Sequence, residues 1–282
     1  MKHLLFSLLL VASGHAVAGC GEGMPLRGTA ALASCDPRGP NCVSAPRIGN
    51  GYLKKAKEDK ARTDPASMPV WIDASPLHFY DSDARILSVE DIAGMLRPLL
   101  AKRKTVKRVV LYGSWTGVAP AHGGKSLAQR LSQALNGMPV TGMDGYLWIA
   151  EDGSMHTTQA AASPTRSGPY GIVPGTEIMM SYVTGWVATL SDRLVEAGNT
   201  QGILLAGAGW DTFFLCPDRA LQTFEAAAKL SSPVAAYNAA ILHLERGRSG
   251  DNEAAAVLLT QAAAEGDEKA KARLAQLRGN TN

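Results

Sequence analysis

Beyond its first twenty residues the chain contains no apolar run long enough to span a bilayer, so no membrane-spanning body is expected. It also lacks a charge excess: 28 Lys and Arg stand against 25 Asp and Glu, a formal net charge of +3. So near-neutral a chain has none of the electrostatic footprint of a nucleic-acid binder. Cysteines number four, and no histidine or second cysteine pair lies at ligand spacing, which excludes a zinc site of the usual kind and leaves no metal expected. A phosphate-binding loop is missing too. Lys125 follows Gly123-Gly124, but Ala119 stands where the spaced glycine would be, so no nucleotide is expected, and no other cofactor signature occurs. The nucleophile elbow G-x-S-x-G is likewise absent around Ser114, whose neighbours two before and two after are Tyr112 and Thr116.

What is present begins with an export signal. Met1-Lys2-His3 precedes an apolar run, Leu4 to Val11, and small residues follow, the pattern of a signal peptide over residues 1–19. Its removal would leave 263 of the 282 residues and, with Lys2 lost, a charge of +2. That length suffices for two domains. Val17-Ala18-Gly19-Cys20 resembles a bacterial lipobox, which implies a lipid on Cys20; Gly21 in the next position implies the outer membrane. Ordinary cleavage after Ala16-Val17-Ala18 is the alternative. Residues 20–66 are rich in Gly, Pro, Ala and Ser and read as a tether, ending in a charged stretch from Tyr52 to Arg62 with helix-forming residues. Cys35 and Cys42 form a natural local pair; Cys216 is then unpaired, or takes one of them.

Residues 67–216 carry an α/β pattern. Val70 to Ala74 is a strand candidate. Ser88 with Asp91 predicts a capped helix bearing Val89, Ile92, Leu96 and Leu99, closed by Pro98 and the basic run Lys102-Arg103-Lys104. Arg108 to Tyr112 predicts the central strand, and Gly113-Ser114-Trp115-Thr116-Gly117 the turn that ends it. Ser126 then caps a helix with Leu127, Leu131 and Leu135 on one face, and Gly137 stops it. Val140 and Tyr146 to Ile149 open further strands, with a hairpin at Glu151 to Ser154. This is parallel β-α-β order, with Ser114 at the carboxyl end of a strand where open α/β sheets bind ligands. Ala160 to Gly175 reads as a long loop, Thr176 to Ala197 as a helix or a broken helix ended by Gly198, and Gly202 to Ala206 as a buried strand.

From residue 217 to 282 the chain becomes alanine-rich. Ala226-Ala227-Ala228 recurs as Ala262-Ala263-Ala264, and the periodicity between them predicts paired helices in a repeat of about 35 residues. So short an array must dock on the α/β domain or on a partner.

Two resemblances bear on function. The strand and turn from Arg108, then Ser126 to Leu131 and Pro139 to Gly142, look like a segment of caspase-like (CHAT-type) peptidase domains. A cysteine nucleophile closes the first strand in that pattern, and Ser114 replaces it here. The Ala, Gly and Leu positions of the C-terminus resemble Sel-one-like repeats, relatives of tetratricopeptide repeats. The fold expected is therefore an α/β, parallel-sheet domain, caspase-like or doubly wound, followed by a small all-α helical-repeat domain. The combination resembles periplasmic immunity lipoproteins that neutralise type VI secretion phospholipase toxins. It implies a protein-binding module whose partner is a secreted toxin, held to a membrane by the lipid on Cys20. Trp115 and Tyr237 are the binding candidates. The alternatives are an envelope scaffold, or a serine hydrolase using Ser114 with His78 or His122 as base and Asp144 as third member. Against the hydrolase stand ordinary roles: Ser114 as a turn hydroxyl, His78 as a packed histidine beside Phe79 and Tyr80, and Asp144 as a turn former.

Overall fold

The computed structural model describes residues 26–27, 64–120, 124–149, 155–158, 191, 193–212 and 215–279. Strands dominate the first part: β1 (Leu26–Arg27), β2 (Ser67–Trp71), β3 (Asp73–Ala74), β4 (Phe79–Tyr80) and β5 (Ile86–Leu87) precede helix α1 (Val89–Lys102). Then come β6 (Arg108–Tyr112), β7 (Ala119–Pro120), α2 (Leu127–Ala134), β8 (Val140–Thr141), β9 (Tyr146–Ile149) and β10 (Met155–Thr158). The last part is helical: α3 (Thr200–Thr212), α4 (Pro217–Ala228), α5 (Pro233–Arg246), α6 (Asp251–Ala264) and α7 (Glu268–Gly279). The architecture is thus α/β followed by all-α. Among the described residues no helix is long and apolar enough to cross a membrane.

Strands β2, β6 and β8 form a parallel sheet with β6 in the centre. Alternation along β6 buries Val109 and Leu111, and their side chains share one core with Ile92 and Leu96 of α1 and Leu127 and Leu131 of α2. Both helices therefore cover the same face, as two right-handed crossovers stepping in one direction require. Each begins in a capping box, Ser88 with Asp91 and Ser126 with Gln129. Helix α1 runs through Pro98 and ends at Lys102, in the basic run expected to close it. The turn after β6 is welded to the turn after β8: Trp115 N–H donates to Gly145 O at 2.9 Å and Gly117 N–H to Met143 O at 2.8 Å. The backbones approach so closely that a Cβ on Gly142 would lie 2.4 Å from Gly117 N, which explains the paired glycines. Strands β9 and β10 pair antiparallel, and β1 pairs with β7.

Between β2 and α1 the chain folds into an antiparallel meander, β3-β4-β5. It carries the helical layer. Asn238 of α5, fully buried, accepts the Ile86 N–H at 2.8 Å and donates to Ala84 O at 2.7 Å, completing the meander's edge as a further strand would. Arg85 lies over the Tyr237 ring, 5.2 Å from its centroid, and pairs with Asp267 at 2.6 Å; Lys269 pairs with Asp91. The repeat docks on its own α/β layer, one of the two outcomes expected from its shortness.

Residues 35 apart in α4–α5 and α6–α7 occupy equivalent sites: Ala220 and Ala255, Phe224 and Leu259, Ala227 and Ala262, and Ala235 and Ala270 are all buried without exposed surface. Ser232 and Asp267 cap the second helix of each pair, their side chains accepting the N–H groups of Ala235 and Ala270. Asn199 accepts from Gly202 in the same way at the start of α3. The stretch Gly202 to Ala206, expected as a strand, is helix. A short apolar run has no decisive period, and the Asn199 cap with close packing on α4 selects the helix. A Cβ on Gly207 would lie 2.5 Å from Phe224, so α3 belongs to the helical layer, which begins well before residue 217.

Cys216, buried at the start of α4, is disulfide-bonded, and its partner lies outside the described residues. With four cysteines in the chain, that bond takes Cys20, Cys35 or Cys42. A Cys35–Cys42 bridge and a lipid on Cys20 are therefore not both compatible with it. The Tyr52–Arg62, Glu151–Ser154 and Ala160–Gly175 stretches, and all but the end of the Thr176–Ala197 stretch, also lie outside the described residues.

Candidate functional site

A cavity of about 930 Å³ opens at the carboxyl ends of β2 and β6, bounded by the meander on one side and by α1 and α3 on the others. Its position follows from topology. Parallel strands deliver their last residues to one edge, and the helix that packs across that edge here is α3. Trp71 and Tyr112 are register partners on β2 and β6, so their rings stack, 4.2 Å apart and 16° from parallel. Both line the cavity, together with Leu96, Met95, Leu205 and Gly209. Met95 and Leu205 are 54% and 44% exposed, large apolar side chains open to solvent at its rim. Among the described residues no lysine or arginine lines the cavity, and the charged groups that do are Asp73 and Asp81. Asp81 is committed, accepting the N–H groups of Asp83 and Arg85. Asp73, at the start of β3, is accessible through the cavity, yet the surrounding protein desolvates it and raises its pKa above the ordinary carboxylate value.

Behind the meander wall lies a buried polar cluster. His78 Nδ1 is 2.7 Å from Asp211 Oδ2, and its Nε2 is 2.5 Å from Glu245 Oε2. Tyr80 donates its hydroxyl to the same Asp211 oxygen at 2.8 Å. Desolvation opposes a charge on His78, but the carboxylates of Glu245 and Asp211 outweigh it and hold the pKa well above 6.5. Burial likewise opposes ionisation of Asp211; the charge and hydrogen bonds it receives from His78 and Tyr80 prevail and lower its pKa. Desolvation, reinforced by Asp211, pushes the Tyr80 hydroxyl up. The result is a protonated histidine clasped between two anions, joining β4 to α3 and α5. A second histidine repeats the arrangement within the array: His243 Nδ1 meets Asp251 and Nε2 meets Glu225, both at 2.8 Å.

The structure does not bring the sequence-predicted catalytic set together. Ser114 lines the cavity, but its hydroxyl oxygen accepts the Leu147 N–H at 3.1 Å. Both nitrogens of His78 face carboxylates, and a protonated ring has no lone pair to act as base. No hydrogen bond joins His78 to Ser114 among the described residues. Asp144 Oδ1 accepts the Thr157 hydroxyl at 2.5 Å, tying the 142–145 turn to β10. His122, Cys20, Cys35 and Cys42 lie outside the described residues. Trp115 and Tyr237, expected as binding anchors, are buried. Trp115 is 1% exposed, held at φ 64° with its ring edge-on to Tyr146, and Tyr237 is covered by Arg85. Neither offers a surface to a partner, because the docked layers use both as core. The groups that sequence reasoning missed are Asp73, Asp211 and Glu245. An acid inside the apolar run Gly207 to Leu215 is a sign of a paired buried charge that the sequence does contain.

A family model described as a domain of unknown function (DUF8616) matches residues 50–157, the α/β part as far as β10. No curated protein and no solved structure matches the chain.

Proposed function

We propose that this chain is a periplasm-facing, lipid-anchored protein-binding module, and that it neutralises a secreted antibacterial toxin of the lipase type. The observation that carries the binding reading is the open cavity, rimmed by exposed Met95 and Leu205 at the strand ends. Exposed large apolar side chains beside a concave site are the usual anchors of recognition. The groups a hydrolase would need are used otherwise: the Ser114 hydroxyl holds the Leu147 N–H and His78 holds two carboxylates. The toxin as partner rests on the resemblance of the whole architecture to immunity lipoproteins, a caspase-like segment without its cysteine followed by Sel-one-like repeats. The lipid on Cys20 rests on the lipobox-like Val17 to Cys20, with Cys216 then bridged to Cys35 or Cys42.

The test is co-purification with, and protection of cells from, the product of a neighbouring secreted-lipase gene. Binding that is lost in Leu205→Asp and Met95→Asp, with melting temperature unchanged, supports the reading. Absence of both binding and protection removes it, and fluorophosphonate labelling abolished by Ser114→Ala would put a serine hydrolase in its place.

A further inference from the structure

The cavity is unbalanced in charge. Among the described residues its walls carry two carboxylates and no cation. One of the two, Asp81, already accepts two backbone N–H groups in its own turn. Asp73 has no hydrogen-bond or ion-pair partner among the described residues, and desolvation alone accounts for its raised pKa. The carboxylate is exposed on the cavity wall, so an incoming cation meets it there without displacing a partner among the described residues. Two residues before Asp73, Trp71 stacks on Tyr112 in the same cavity. Aromatic faces attract cations, most strongly when water is excluded, and they also pack against methylene chains. Carboxylate, aromatic pair and apolar walls together select an occupant that is cationic at one end and aliphatic along its length.

We infer that the cavity admits a basic side chain, lysine or arginine, from the bound protein, with its stem against Trp71, Tyr112 and Met95 and its head on Asp73. This rests on the reading that the cavity is the partner site, and it adds the chemistry of the anchor. The volume, about 930 Å³, exceeds that of one side chain, so the apolar residues flanking the basic one enter with it and meet Leu96 and Leu205. Charge complementarity of this kind sets which partner is accepted more than how tightly apolar contact holds it.

The full chain is titrated by calorimetry with hexylguanidinium and hexylammonium, and with hexanol as the neutral probe of the same length. Both cations should saturate a single site, and Asp73→Asn should weaken them by about ten-fold or more while leaving hexanol unchanged. Asp81→Asn, which touches a turn carboxylate already in use, should have a much smaller effect on cation binding. Hexanol binding as tightly as the cations, or cation affinity unmoved by Asp73→Asn, overturns the inference. Failure here is separable from failure of the binding reading. Toxin capture that still depends on Leu205 but ignores Asp73→Asn leaves the site and rejects the basic anchor. Absence of both cation and toxin binding in the unaltered chain rejects both. Asp73→Ser, with melting temperature as a fold check, replaces Asp73→Asn if that variant does not fold.

Discussion

Replacing His78 by leucine should be among the most damaging single changes in the molecule. His78 and Asp211 are 2% and 0% exposed and 2.7 Å apart. At that separation and an effective dielectric of about 20, the attraction is roughly 6 kcal/mol, most of it offset by desolvating the two ions. The pair as a whole therefore adds little net stability. Removing one member is different, because Asp211 is left ionised in the interior with only the neutral hydroxyls of Tyr80 and Ser75 to stabilise it. The expected loss is about 3–5 kcal/mol. Glu245, whose side chain is 44% exposed, can rehydrate and accounts for about 1 kcal/mol or less of this. The assay is chemical denaturation of His78→Leu, Asp211→Leu and the double variant. The double variant should recover most of the loss, since two leucines in the same space leave no buried charge. The pH profile supplies a second reading. His78 is raised in the folded state, so its contribution is complete below its unfolded value of about 6.5 and disappears as pH rises through the folded value. Asp211 is lowered, so its contribution is complete above about 3.8 and disappears as pH falls through the folded value. Stability should be greatest between these limits, and His78→Leu should remove the alkaline fall. A loss below about 1 kcal/mol for the single variant, or a double variant equal to the sum of the singles, would refute the reasoning.

Three further outcomes are expected. Asn238→Ala should cost about 1–3 kcal/mol in denaturation, because Ile86 N–H and Ala84 O lose their partner in a buried place, and Asn238→Asp should do no better since it removes the donor. Gly142→Ala should destabilise by about 1–3 kcal/mol in the same assay, the added methyl meeting Gly117 N at 2.4 Å, whereas Gly94→Ala, with open space at its Cβ, should be neutral or stabilising. Cys20→Ser should shift the protein from the membrane fraction to the soluble fraction, with Cys216 still oxidised by thiol labelling; an unlipidated wild-type protein by mass spectrometry would contradict the anchor.

Much of the local structure was legible in the residues themselves. The caps at Ser88 and Ser126, the stop at Gly137 and the alternation along β6 depend on neighbours within a few positions, so the sequence contains their whole cause. The same is true of the helical repeat, where small residues return at the spacing that stacks one helix pair on the next. Gly202 to Ala206 was not legible, because an apolar run of five has no period and the docking of Gly207 on Phe224 decides its conformation. Nor was the burial of Trp115, which follows from a turn closed by residues 142–145. The buried clasp is the clearest case of a feature that only tertiary structure makes. His78 meets Asp211 and Glu245 across 133 and 167 residues, and nothing near any of the three announces the others. Apart from Gly202 to Ala206, sequence alone determined the main helices and the central parallel strands, because those choices are made by short-range sterics and hydrogen bonds. The cavity, the place of Asp73 in it and the charges locked behind it were decided by how the helical layer settles on the meander, where long-range packing selects which distant side chains come together.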